Sequence, residues 1–214
     1  IYWQFNDCWP VASWSSVDSF GRYKALHYAA RKFYAPVAMG LFLENRKLMV
    51  NVSNETMADF RGSVKLTVCR NDFTELDHKE AVIEVEALTS EDVLRYKIPD
   101  VDSYSTYLAV DLFDEAGMFI MRQVELLTPP KHFEWLEPRI TAEFTDVDGG
   151  VEIAVSSNVF TKGVYIDFQD FDCVLSDNFF SLTDSCPYRV TARTNRSARE
   201  LKENILIKTV YNIR

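Results

Sequence analysis

The sequence lacks most of the features that announce a function quickly. In 214 residues no apolar run approaches the roughly 18 residues of a membrane-spanning helix, so no membrane partner is expected. Histidine occurs three times, at His27, His78 and His132, scattered and without a GxSxG nucleophile context. Cys8, Cys69, Cys173 and Cys186 form no CxxC pair and have no histidine at metal-ligand spacing, which argues against zinc. Basic residues number 23 against 32 acidic ones, a formal charge of -9, and no Lys/Arg cluster interleaves with aromatics. Such a surface repels phosphate backbones, so no nucleic-acid partner is expected. Low-complexity segments and internal repeats are missing too. What remains, at 47% hydrophobic and 26% charged residues, is the composition of an ordinary globular chain of one or two domains.

Minor signals leave alternatives open. Cys173 and Cys186 either bridge neighbouring strands or stay free thiols. Sequons occur at Asn51, Asn54 and Asn195, and they read as chance matches, because Asn51 and Asn54 on one strand would point to opposite faces. Asp170 and Asp172, with Asp167 or Asp177 nearby, and the pair Asp146 and Asp148 offer carboxylates to calcium. The glutamate that closes a calcium loop is missing after Asp148, and solvated acidic loops are the favoured reading. Neither a metal nor any other cofactor is expected.

What is present concentrates at the start. Three of the four tryptophans, Trp3, Trp9 and Trp14, fall within the first sixteen residues. This abrupt aromatic run carries no initiator Met and no basic leader, and reads as the tail of a larger protein cut inside a catalytic domain. A helix is expected next, capped by Asp18 or Ser19 and carrying Phe20, Tyr23, His27, Ala30 and Tyr34 at helical spacing. Pro36 ends it.

From there the period changes to two. Leu48, Val50 and Val52 alternate with polar neighbours, as do Val64, Leu66 and Val68, then Ile83, Val85 and Ala87, then Leu108, Val110 and Leu112. Turn residues at Asn45-Arg46, Arg61-Gly62 and Glu115-Ala116-Gly117 separate them. The pattern describes a β-sandwich of about seven strands over residues 37–127. Residues 128–138, with paired prolines, read as a linker. Alternation resumes around Val151, Ile153 and Val155, Val164, Ile166 and Phe168, Tyr188, Val190 and Ala192, and Ile205 and Ile207. Asp146–Gly150 is a turn, and residues 139–214 form a second, smaller sandwich. Ser90–Asp92 and Ala198–Glu203 each read as a turn of helix.

A strand rich in Trp, Asn and Asp followed by a loop and one helix has the shape of a final βα unit of a parallel barrel, where functional groups sit at strand ends. Trp3 would offer a flat face to a sugar ring, with Asn6 and Asp7 fixing geometry. Trp9, Trp14 and Tyr2 read as packing between strand and helix.

Three blocks sharpen this. Trp3-Gln4-Phe5-Asn6-Asp7-Cys8-Trp9-Pro10, Ser13-Trp14-Ser15-Ser16-Val17-Asp18 and Gly21-Arg22-Tyr23-Lys24-Ala25-Leu26-His27-Tyr28 resemble the eighth barrel strand and helix of glycoside hydrolase family 2, best its β-mannosidase branch. Pro129-Pro130-Lys131-His132 and Asp177-Asn178-Phe179-Phe180 resemble pieces of that branch's two C-terminal sandwiches. The resemblance implies a mainly β chain: two Ig-like β-sandwiches (37–127 and 139–214) preceded, over residues 1–36, by the last βα unit of a (β/α)8 barrel. It implies a retaining exo-glycosidase parent with two carboxylates about 5–5.5 Å apart. In the family both are glutamates on barrel strands four and seven, ahead of this segment, so no catalytic residue is expected here. Trp3 is implied as a wall of the sugar subsite, with Asn6 and Asp7 beside it. The implied partners are a terminal β-linked sugar and the missing barrel portion, and the implied location of the parent is periplasmic, secreted or lysosomal. A β-galactosidase or exo-β-glucosaminidase parent remains open.

A binding module for carbohydrate or protein is the competing reading, with Tyr104, Tyr107 and Phe113 the candidate aromatic row. The opening βα unit is expected to be the weak part, resting on the first sandwich or on another copy.

Overall fold

The computed structural model describes residues 2–213. Ile1, the first residue of the aromatic opening, and Arg214 lie outside the described residues. The chain is mainly β, with antiparallel strand pairing throughout its sheets. It divides into two compact units. One is Arg31–Trp135; the other joins the residues up to Ala30 with those from Leu136 onward.

Within Arg31–Trp135, strands β1 (Val37–Glu44), β2 (Lys47–Asn54) and β5 (Thr89–Lys97) form one sheet. Strands β4 (Glu75–Val85), β3 (Phe60–Arg70), β6 (Thr106–Asp114) and β7 (Phe119–Leu126) form the other. The alternation drives this. Val50, Val52, Val64, Leu66, Val68, Leu108, Val110 and Leu112 meet between the sheets, all buried, and each such side chain contributes about 1.5–3 kcal/mol by leaving water. Asn45 and Arg46, both at positive φ (49° and 59°), close the β1–β2 hairpin in the geometry that matches strand twist. Central β6 is buried on both faces, and its Asp111 is neutralised by a two-pronged bond from Arg122 at 2.5 and 2.8 Å.

Three expectations change here. Arg61-Gly62 is not a turn but the start of β3. A Cβ on Gly62 would lie 2.1 Å from the Phe113 carbonyl oxygen, so the glycine answers to close backbone approach rather than to chain reversal. Ser90–Asp92 is not helical, because these residues pair with Ser53, Val52 and Asn51 of β2. Tyr104, Tyr107 and Phe113 make no exposed row: Tyr107 is wholly buried and Phe113 packs edge-on against Phe119. Asn54, a sequon residue, is buried and donates to the carbonyls of Ala58, Val85 and Glu86, an internal knot rather than a surface acceptor. Residues from Pro130 to His132 make a 3-10 turn, after which Glu134 bonds to Asn71 and Tyr104.

The other unit contains the second sandwich. Strands β8 (Ile140–Val147), β9 (Gly150–Ser157), β13 (Tyr188–Arg193) and β11 (Val174–Leu175) face β12 (Phe180–Leu182), β10 (Thr161–Phe168) and β14 (Ile205–Lys208). Val151, Ile153, Val155, Val164, Ile166 and Val190 fill its core. Helix α2 (Ala198–Asn204) follows the expected turn, opened by a capping box between Ser197 and Glu200, and buries Leu201. None of the four cysteines is in a disulfide. No described helix is long and apolar enough to cross a membrane.

The opening departs from a strand and a long helix. Helix α1 spans Ala25–Phe33, starting later than expected, because Gly21 sits at φ +84°, a conformation outside the helix. Asp18 organises the preceding turn instead of capping the helix. Its carboxylate accepts from the backbone of Phe20 and Arg22 and from Arg22 Nε, at 2.9, 2.9 and 2.7 Å.

Candidate functional site

Residues 2–24 fold as a loop closed on itself. Val17 N donates to Phe5 O (2.9 Å), Asp7 N to Val17 O (3.0 Å) and Ser16 N to Gln4 O (3.0 Å). In place of a ladder, isolated bridges pair Asn6 with Val17 and Val17 with Tyr23. A strand needs neighbours for its N–H and C=O groups, and this segment supplies its own by doubling back.

Asp7 is the anchor. Its side chain is 1% exposed and its Oδ2 accepts from Lys24 Nζ at 2.7 Å. Its Oδ1 accepts from the Ser13 hydroxyl. Lys24 Nζ also donates to Ser15 Oγ at 2.7 Å, and Ser15 Oγ donates to Val17 O at 3.0 Å. The bond from Lys24, followed by that from Ser13, holds the Asp7 carboxyl at about 2. A carboxylate held there stays ionised at neutral pH and cannot serve as a general acid. Asp7 therefore fixes the loop. Spacing alone does not reveal its partners, since Lys24 lies seventeen residues away.

Around this polar anchor the aromatics face outward. Trp3 is 73% exposed. Asn6 is exposed beside it, its Nδ2 donating to Asp7 O at 3.2 Å. Trp9 and Trp14 are 67% and 78% exposed, which corrects the expectation that they pack between strand and helix: among the described residues no strand forms there to sandwich them. His27 stacks on Tyr23 with ring centroids 4.0 Å apart.

The loop packs on the second sandwich. Tyr28 lies 6.0 Å from Phe179, which stacks on Tyr165 at 4.9 Å. A cleft of about 490 Å³ opens there, lined by Phe20, Arg22, Tyr28, Tyr165, Asp167 and Phe179 among others. Arg22, bonded to Asp18, also feels Asp172 and Asp167, and these carboxylates strengthen its hold on its proton. Burial, then a 2.7 Å bond to Asp167, pushes the Tyr165 hydroxyl up to about 12. Like Asp7, this hydroxyl keeps one protonation state at neutral pH.

Of the carboxylates singled out for calcium, Asp146 accepts from Ala198 N and Asp177 from the Tyr188 hydroxyl, each at 2.7 Å. Among the described residues no group of three His, Cys, Asp or Glu is placed to hold a metal ion.

Residues 46–132 match the family described as mannosidase Ig/CBM-like domain, and residues 135–213 match an Ig-fold domain family. Both sandwiches are thus Ig-like. The chain is 28% identical over 207 residues to β-mannosidase B of Thermothelomyces thermophilus, an overlap of 85% of this chain and 24% of that protein. In structure it resembles the β-D-mannosidase of Dictyoglomus thermophilum (TM-score 0.87, 22% identity, 97% of this chain and 25% of that one). It also resembles the exo-chitosanase of Amycolatopsis orientalis (TM-score 0.70, 19% identity, 98% and 29%). These two likenesses are of fold. The chain spans about a quarter of the length of the relatives it matches.

Proposed function

We propose that the chain, whose two Ig-like domains match a mannosidase Ig/CBM-like family and an Ig-fold family, works as the C-terminal accessory region of a retaining exo-β-glycosidase of the β-mannosidase kind in glycoside hydrolase family 2. In this reading residues 2–36 complete a catalytic barrel, the sandwiches support it, and the substrate is a terminal β-mannoside. One observation carries the reading: the match to about a quarter of a β-mannosidase includes the N-terminal loop as well as the sandwiches, since 97% of the chain is covered. A loop of 23 residues cannot fall within the remainder.

The loop's build supports the same reading of the site. Trp3, exposed on a backbone pinned by its neighbours, is the wall of the sugar subsite, and Asn6 borders it. Asp7 acts through the loop, holding Trp3 and Asn6 in place by way of Lys24 and Ser13. Retaining hydrolysis needs a nucleophile and an acid/base on two suitably spaced carboxyl groups. Asp7, fixed as a carboxylate, does not supply the acid.

The purified chain is therefore expected not to hydrolyse 4-nitrophenyl β-D-mannopyranoside. Saturable turnover that survives Trp3→Ala overturns the reading. In a polypeptide where these residues follow a barrel with both glutamates, Trp3→Ala is expected to lower kcat/KM by roughly tenfold, the scale of one lost ring contact; an unchanged kcat/KM removes Trp3 from the site.

A further inference from the structure

The outer face of the β1–β2–β5 sheet carries an arrangement that the glycosidase reading does not use. Strand register sets Glu44, Lys47 and Lys97 in one row and Phe42, Met49 and Arg95 in the next. These six side chains line a cleft of about 460 Å³, a size typical of small-ligand sites. Phe42 shows 56% of its surface to water.

Lys47 and Lys97 stand directly opposite each other on adjacent strands. Like charges so placed destabilise a sheet, and among the described residues neither lysine has an acidic partner within ion-pair reach. Glu44 faces Lys47 from β1 without an ion pair, yet Lys47, Lys97 and Arg95 leave the cleft cationic in a chain of formal charge -9, and beside an exposed ring they form a site for an anion with an apolar face.

The rest of the face is polar and already ordered. Arg95 is held by Asp92 (3.3 Å), which accepts from Asn51 (3.1 Å). Asn51 in turn accepts from Ser90 (2.7 Å), and Ser90 shares a bond with Ser53 (2.9 Å). Gly40, opposite Asn51, has nothing above it within 4 Å of where a Cβ would stand, so the surface beside the ring is open and flat.

We propose that this face binds an anionic saccharide, with the C–H face of a pyranose laid on Phe42 and its carboxylate held by Lys47 and Lys97. A uronate residue of an oligosaccharide has this chemistry. An acidic peptide fits less well, because an extended peptide takes the unpaired backbone of a sheet edge, whereas Phe42 and the lysines project from the face. The site lies wholly within Arg31–Trp135 and stands whether or not the N-terminal loop completes a barrel.

The test is a calorimetric titration of the whole chain with an oligogalacturonate, a neutral manno-oligosaccharide and an oligoglutamate. Saturable binding of the oligogalacturonate is expected, weakening as salt screens the lysines. Phe42→Ala, and separately Lys47→Gln with Lys97→Gln, should each weaken it by at least roughly tenfold with an unchanged circular dichroism spectrum. These positions are exposed, so the variants are expected to fold. Absence of saturable binding, or binding indifferent to both variants, overturns the proposal. Equal affinity for the neutral sugar overturns its anionic part, and equal affinity for oligoglutamate overturns its saccharide part.

Discussion

Residues 2–24 and the strands after Pro36 draw on similar apolar side chains and use them in opposite ways. In the sandwiches, Val50, Val64, Leu66, Leu108, Val151 and Ile153 are wholly withdrawn from water, while in the opening loop Trp3, Trp9, Trp14 and Phe20 stand in it. The sandwiches are closed around their own cores. The loop is closed around Asp7, Lys24, Ser13 and Ser15, a polar anchor that leaves its aromatic side chains exposed. Local stability follows buried apolar contact more than hydrogen bonding to an exposed backbone.

The comparison breaks most readily in the sandwiches. Gly62→Ala should cost about 3 kcal/mol or more, because the new methyl meets a backbone carbonyl that cannot step aside; the melting temperature measures it, and a change near zero means that β3 and β6 are not so close. Arg122→Met comes next, at about 3 kcal/mol, since it leaves the buried Asp111 without its fork. Chemical denaturation of Arg31–Trp135 followed through its strands reads this directly.

The loop should respond to acid through its anchor. Asp7 has a folded value below its unfolded one, so its contribution is present above the ordinary carboxylate range near 3.8 and is lost as pH falls toward about 2. Tryptophan fluorescence is expected to report the loop loosening across that window. Lys24→Met should loosen it already at neutral pH and flatten the acid transition, and an unaltered transition would show that Lys24 is not the anchor. The smallest effect belongs to Trp9→Ser and Trp14→Ser, each within about 0.5 kcal/mol of the parent, as for exposed residues elsewhere. A loss of 2 kcal/mol or more would return these rings to a packing role.

Much of the fold was legible because alternation answers directly to burial: the residues alternating at Val64, Leu66 and Val68, or at Val151, Ile153 and Val155, are the ones the cores enclose. The Asn45-Arg46 turn was equally readable, since few residue pairs take positive φ twice. What failed depended on distant partners. Gly62 looked like a turn because the carbonyl it admits is fifty-one residues away, at Phe113. Ser90–Asp92 looked helical by composition, and the pairing of β2 with β5 overrides that. At the candidate site Trp3, Asn6 and Asp7 could be named, but the division between two exposed groups and one buried anchor depends on Lys24 and Ser13. The Lys47–Lys97 opposition emerges only once register is known.

Hydrogen exchange on the monomeric chain tests the central contrast most directly. Amides of residues 2–24 are expected to exchange well before those of β3, β6, β9 and β10. Protection of the loop equal to that of these strands, in a strict monomer, would contradict the account of a loop closed around a polar anchor with its aromatic side chains exposed.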